Sequence, residues 1–154
     1  MSDTSSPDHG ISAAHWAIIE NAPVAAFLLV AGADGKVDRK ELKVFARRVT
    51  AGLVGSDASP IMSSAVQRAS DGLEDRLAQF STKSAKELVR LVAVSRHAVS
   101  QDAGEEAADA FAKSLYSMAY QVAQASGGLL SLGSKIDRNE KMVLEGLQRI
   151  LKLA

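Results

Sequence analysis

Residues 22–41 read Ala-Pro-Val-Ala-Ala-Phe-Leu-Leu-Val-Ala-Gly-Ala-Asp-Gly-Lys-Val-Asp-Arg-Lys-Glu, and two predictions start from them. Residues 23–33 carry no charge. A helix there would be apolar on every side, so it should lie at the centre of the fold. Pro23 either kinks the preceding helix or opens a new one at its first turn. The second half of the stretch, residues 33–41, is an acidic motif that recurs in shortened form at residues 134–140.

Helical periodicity and helix start signals repeat along the whole chain, and sustained period-two alternation is missing. The sequence therefore predicts an all-α fold, a single compact domain of about seven helices. Residues 1–10 are rich in Ser, Asp and Pro and are expected to be a flexible N-terminal tail, with the helical domain over 11–154. The expected helical segments cover about 12–33, as one kinked helix or two, then 38–53, 60–71, a short segment to 80, a helix that starts between Ser81 and Ser84 and stops before Gly104, 105–125 and 137–153.

Both copies of the motif read Lys, a β-branched apolar residue, Asp, Arg, any residue and Glu. Asp38 and Glu41 form the pair in the first copy, and Asp137 and Glu140 form it in the second. An Asp at a helix start with a Glu three residues later is a capping box, in which each side chain accepts a backbone amide hydrogen bond. Capping alone explains both copies.

A cation site is the alternative interpretation of the same residues. The pattern Asp-Gly-x-Val-Asp-x-x-Glu resembles the second half of a calcium-binding EF-hand loop. In that register the first and third ligands would be Val30 and Gly32, which offer no side-chain oxygen, so the sequence argues against a working EF-hand. A different site remains open, in which Asp34, Asp38 and Glu41 converge and are joined by Asp137 and Glu140. Carboxylate ligands would favour Ca²⁺ or Mg²⁺ over Zn²⁺.

An apolar helix that runs into Val-Ala-x-Ala-Asp-Gly-Lys-Val-Asp-x-x-Glu at residues 30–41, with a late Asp-x-x-Glu at the start of a terminal helix, resembles the TerB-like family of tellurite-resistance proteins. The resemblance implies an all-helical bacterial domain that acts in tellurite resistance, chemical stress response or phage defence within membrane-associated complexes. It also implies divalent-metal binding at Asp34, Asp38, Glu41, Asp137 and Glu140. Residues 126–134 depart from the family pattern, because a second Asp-Gly would be expected there.

Composition narrows the function further. The chain has 18 basic and 18 acidic residues, which argues against a general nucleic-acid binder. The absence of cysteine excludes disulfides, thiolate metal sites and cysteine nucleophiles. No signal peptide is expected, and the longest apolar run, residues 22–33, is shorter than the ~20 residues of a membrane span. We therefore expect a cytoplasmic protein, associated at most peripherally with the inner face of the membrane.

Two surfaces are candidate partner sites. Arg39, Lys43 and Arg47 are spaced by four and share one helix face, which is either simply solvated or docks an acidic partner or anionic lipid headgroups. Leu129, Leu130 and Leu132 lie between glycines in an expected loop at 126–134. These leucines either fold back over the core or form an exposed apolar patch for a protein partner.

Three functional hypotheses follow. The first is a non-enzymatic TerB-like module that holds a divalent cation and acts through a protein partner. The second is a structural interaction domain without a metal, which docks through the basic helix or the leucine-rich loop. The third is a metal-dependent hydrolase that uses Asp34, Asp38 and Glu41. It is the weakest, because no histidine or nucleophile accompanies these acids, and His9, His15 and His97 are scattered.

Overall fold

The structure, a computed structural model, describes residues 8–31, 59–130 and 138–153. All regular secondary structure within these ranges is helical, which confirms the all-α prediction for the described part of the chain. The predicted helix over 38–53 lies outside the described residues. The helices are α1 (Ala13–Ile19), α2 (Ala22–Ala31), α3 (Pro60–Ser70), α4 (Leu73–Phe80), α5 (Ala85–Ala103), α6 (Glu105–Leu130) and α7 (Arg138–Ile150).

Helix α2 is the centre of the fold, as its uncharged sequence predicts. All ten of its residues are buried, and it packs against α3, α4, α5, α6 and α7. Burial of each large side chain in it, such as Phe27 or Leu29, contributes about 1.5–3 kcal/mol relative to exposure. Neighbours on every side explain why no position on this helix carries a polar side chain.

One stretch of the described residues, Ala13–Ala31, is long and apolar enough to cross a membrane by length and composition. This stretch includes both α1 and α2, and is therefore longer than the apolar run noted in the sequence. Within the fold, 61% of its apolar window is buried. Core helices of soluble proteins pass the same test, so the stretch alone assigns no location.

Local capping signals set several helix boundaries. Ser12 and Ser59 each accept a hydrogen bond from a backbone amide of the first turn of α1 and α3, respectively. Ser84 and Glu87 form a complete capping box at the start of α5. Gly104 separates α5 from α6 with φ of 99°, a conformation that side chains with a Cβ rarely adopt.

The last residues of the expected N-terminal tail pack onto the helices. The Trp16 indole Nε1 donates to the Asp8 carbonyl at 3.0 Å, and His9 Nε2 lies 2.9 Å from Ser64 Oγ on α3. His9 and Gly10 both have positive φ and turn the chain back toward α1. Asp8 and His9, in the last part of the expected tail, thus have partners in Trp16 and Ser64 that the local sequence does not reveal.

Helix α6 is longer than predicted. We expected it to end near Ala125 and to be followed by a loop that contains Leu129 and Leu130, but it continues to Leu130. Each glycine at 127 and 128 disfavours helix by about 1 kcal/mol relative to alanine, but such propensities are routinely overridden in a long, tertiary-packed helix. Leu129 and Leu130 thus belong to the last turn of α6, and Leu132 lies outside the described residues.

Arg96 joins α5, α6 and the end of α7. Its side chain is only 5% exposed. Its Nε donates to the Leu151 carbonyl at 3.0 Å, and its Nη2 donates to the carboxylates of Glu105 and Asp109. The carbonyl of Leu151 follows the last turn of α7 and has no acceptor role within that helix. Arg96 therefore caps α7 from a different helix.

Candidate functional site

The acidic residues singled out in the sequence fall mainly outside the part of the chain that the structure describes. This holds for Asp34, Asp38, Glu41 and Asp137, and Glu140 is placed only as backbone in the first turn of α7. Helix α7 begins at Arg138, directly after Asp137, where the capping interpretation places a helix start. Within the ranges 8–31, 59–130 and 138–153, no three His, Cys, Asp or Glu residues are grouped so that they could hold a metal.

The predicted basic surface of Arg39, Lys43 and Arg47 also lies outside the described residues. A different basic surface is present on α5. It borders a groove of about 740 Å³ between α1 and the α4–α5 segment, which we call the α1–α5 groove. The groove is open to solvent rather than enclosed.

The floor of the α1–α5 groove is apolar. It is made by Ile18 of α1, Phe80 at the end of α4, and Leu91 and Val94 of α5. Phe80 is buried and Ile18 and Leu91 are half-buried, whereas Val94 is 41% exposed. Leu91 packs at the edge of the core and also lines the groove.

The rim on the α5 side is basic. It carries Lys83, Lys86 and Arg90, against the single carboxylate of Glu87. Glu87 is engaged by its own helix, because its Oε1 accepts the Ser84 amide hydrogen at 3.0 Å. This backbone hydrogen bond, followed by that with the Ser84 side chain, lowers the pKa of Glu87. The Nζ of Lys83 lies 5.6 Å from the centroid of the Phe80 ring, so a cation borders the apolar floor directly.

The opposite wall, on α1, carries no charge. It consists of Ala17, Ile18 and the α1–α2 turn residue Asn21. Both ends of the Asn21 amide are used within the fold, since its Nδ2 donates to the Ala17 carbonyl and its Oδ1 accepts from Arg76 Nη1 at 2.6 Å. The groove is therefore asymmetric, with cations along one edge and an apolar, internally satisfied wall along the other.

Two histidine pairs lie near the N-terminal end of the described chain. His15 Nδ1 is 2.7 Å from Asp102 Oδ2, and His9 Nε2 contacts the hydroxyl of Ser64. The Asp102 carboxylate also accepts the Ser12 amide at 3.0 Å. These contacts, Ser12 first and His15 second, lower the pKa of Asp102. The histidine beside the serine is not the histidine beside the aspartate, so these residues do not form a Ser–His–Asp relay.

Sequence reasoning missed both the groove and the histidine pairs. The spacing of Lys83, Lys86 and Arg90 is the same kind of signal as that of Arg39, Lys43 and Arg47, and it was available from the sequence. The apolar floor could not be predicted from the sequence, because Ile18 is more than sixty positions from Phe80. His15 and Asp102 are similarly separated, by 87 positions.

Comparisons with protein-family models, curated proteins and solved structures found no match for this chain.

Proposed function

We propose that this chain is a non-enzymatic helical module that acts by binding a protein partner in the α1–α5 groove. The observation that carries the proposal is the combination of an apolar floor, part of it exposed at Val94, with three cations on one rim. An apolar centre with a charged rim is the usual anatomy of a protein–protein interface.

A catalytic role has less support. Ser64 is 5% exposed and lies within α3, where its hydroxyl contacts His9. His15 and Asp102 serve the N-terminus of α1, where Asp102 accepts the Ser12 amide. Both pairs thus have a structural role in holding residues 8–15 against α3 and α5.

The proposal is tested by photo-crosslinking in the cells that produce the protein. A photoreactive amino acid such as p-benzoyl-phenylalanine replaces Val94 in the groove, and in a matched control it replaces Met142, which is 64% exposed on α7. We expect one discrete adduct from position 94 that is missing from position 142. No discrete adduct at 94, or the same adducts from both positions, would contradict the proposal.

We further propose that the module is of the TerB-like kind and works in the cytoplasm in tellurite or chemical stress response or in defence. Two observations support this: the motif over residues 30–41, and the all-helical arrangement around an apolar helix that ends just before it. In this proposal a divalent cation, Ca²⁺ or Mg²⁺ rather than Zn²⁺, binds through Asp34, Asp38, Glu41, Asp137 and Glu140.

Thermal unfolding tests the cation. A ligand at about 100 times its dissociation constant adds about 2.7 kcal/mol, which raises the Tm of a domain of this size by roughly 5–10 °C. We expect Ca²⁺ or Mg²⁺ to produce such a rise in metal-stripped protein, and Asp34→Asn and Asp38→Asn to abolish it. Because Asn caps a helix about as well as Asp, Asp38→Asn separates metal binding from capping. An unchanged Tm with every ion would contradict the cation site and favour the alternative of an interaction domain without a metal.

A further inference from the structure

The α5 wall of the α1–α5 groove is long enough to accompany a second helix. Its α5 wall runs from Lys86 to Val94, about 12 Å along a helix at 1.5 Å per residue. That length corresponds to about two turns of a second helix laid alongside. The groove is open to solvent rather than enclosed.

Charge and apolar positions run in parallel along the α5 wall. Lys86 and Arg90 are four residues apart and form one line. Leu91 and Val94, three apart, form the adjacent line. That second line also carries Glu87, whose carboxylate accepts the Ser84 amide of its own helix. Side chains three and four apart lie on one face of a helix. The α1 wall adds Ile18 to the apolar line and no charge. The complement of this surface is a helix with an apolar face and acidic residues along one flank.

We infer that the α1–α5 groove binds an acidic amphipathic helix of a protein partner, with its apolar face on Leu91 and Val94 and its acidic flank along Lys86 and Arg90. The inference rests on the proposed function and names the chemistry of the partner. Helices of this kind commonly bind by inserting apolar side chains into a groove formed by other helices. The partner's carboxylates at positions i and i+4 would face the two cations.

An anionic membrane surface fits the same residues less well. Membrane-binding surfaces bury apolar side chains that project outward into the interface. Here the aromatic ring, Phe80, is buried at the bottom of a concave groove, and Ile18 and Leu91 are half-buried. Three cations, one of which lies beside a buried ring, also provide little attraction for a surface spread over many headgroups.

The test measures binding of designed peptides to the full chain by fluorescence anisotropy. The probe is an amphipathic helix of about 18 residues, with leucines on one face and glutamates four apart on one flank. Its control replaces the glutamates by glutamines. The groove variant is Lys86→Glu with Arg90→Glu, and the matched control, with the same change in net charge, is Lys113→Glu with Lys141→Glu. All four positions are exposed, and the control pair does not line the groove.

We expect the acidic probe to bind about tenfold more tightly than the glutamine probe at low salt, with the difference reduced at high salt. The groove variant should lose that preference, and the control variant should keep it. A probe with lysines in place of the glutamates should bind the groove variant better than the native chain. Equal binding of the acidic and glutamine probes, or equal effects of the two double variants, would overturn the inference.

Vesicles that contain anionic lipid provide the second arm of the test. We expect them to bind the native chain and the groove variant equally weakly. Tight vesicle binding that is lost in the groove variant would overturn the inference in favour of a membrane surface. A discrete crosslink at Val94 without any preference for acidic probes would overturn only the partner's chemistry and leave the proposed function standing. Failure of both the crosslink and the probes would remove the groove as a docking site.

Discussion

Arg96→Met is the change that most directly tests how the helices are held together. Methionine retains much of the volume and flexibility of the arginine side chain, so packing is largely conserved. The substitution removes the hydrogen bond from Arg96 Nε to the Leu151 carbonyl, a buried contact of 3.0 Å. It also removes the contacts with Glu105 and Asp109 at the start of α6.

The expected loss of stability depends on whether the former partners of Arg96 remain buried or exposed to water. The Leu151 carbonyl becomes a buried acceptor without its donor, which costs about 1–3 kcal/mol. The side chains of Glu105 and Asp109 are 61% and 50% exposed, so water replaces the arginine and the lost ion pairs add little. For a domain of this size a loss of that magnitude lowers Tm by roughly 3–10 °C.

Denaturant and thermal unfolding followed by circular dichroism measure this loss, with Arg90→Met on the exposed side of the same helix as the control. We expect Arg90→Met to change Tm by no more than about 1 °C, as surface substitutions commonly do. A second readout is the pKa of Glu105, which is lowered first by the Ser100 hydroxyl and then by Arg96. In Arg96→Met it should rise but stay below its ordinary value. Equal Tm values for the two variants would refute the capping role of Arg96.

Three further outcomes can be measured on single variants. Lys152 follows α7 with a left-handed φ of 60°, in a turn where the Leu153 amide donates to the Gln148 carbonyl at 2.8 Å. Glycine adopts this conformation without the steric cost of a Cβ. Lys152→Gly should therefore raise the free energy of unfolding by about 1 kcal/mol in a denaturant titration. Ser84→Ala breaks the capping box of α5 and should lower the free energy of unfolding by about 0.5–2 kcal/mol. An unchanged free energy of unfolding would contradict a stabilising role for this cap. The pKa of Asp102 is lowered from 3.8 in the folded state, so its stabilisation is present above pH 3.8 and is lost as the pH falls through the lowered value. Unfolding of Asp102→Asn should therefore be less steeply acid-sensitive below pH 3.8 than that of the native chain, and identical acid profiles would contradict this.

Local signals were sufficient for most of the helix boundaries. Ser12, Ser59 and Ser84 are N-caps because a side-chain oxygen one position before a helix satisfies an amide of its first turn, whatever the rest of the chain does. The sequence Ser84-Ala85-Lys86-Glu87 also has the capping-box spacing, which predicts the start of α5 without tertiary information. The central place of α2 followed from its lack of charge, since an all-apolar helix is stable in water only when surrounded.

Tertiary structure decided which helices contact each other and through which residues. Arg96 looks like any helical arginine in the sequence, and it is buried only because α6 and the end of α7 bring acceptors to it. Helix α6 continues through Gly127 and Gly128 although each glycine locally disfavours helix. The α1–α5 groove exists because α1 crosses α5 at residues far apart in the chain. A period of three or four residues reports which face of a helix is apolar, but the partner for that face is chosen by packing among all the helices at once.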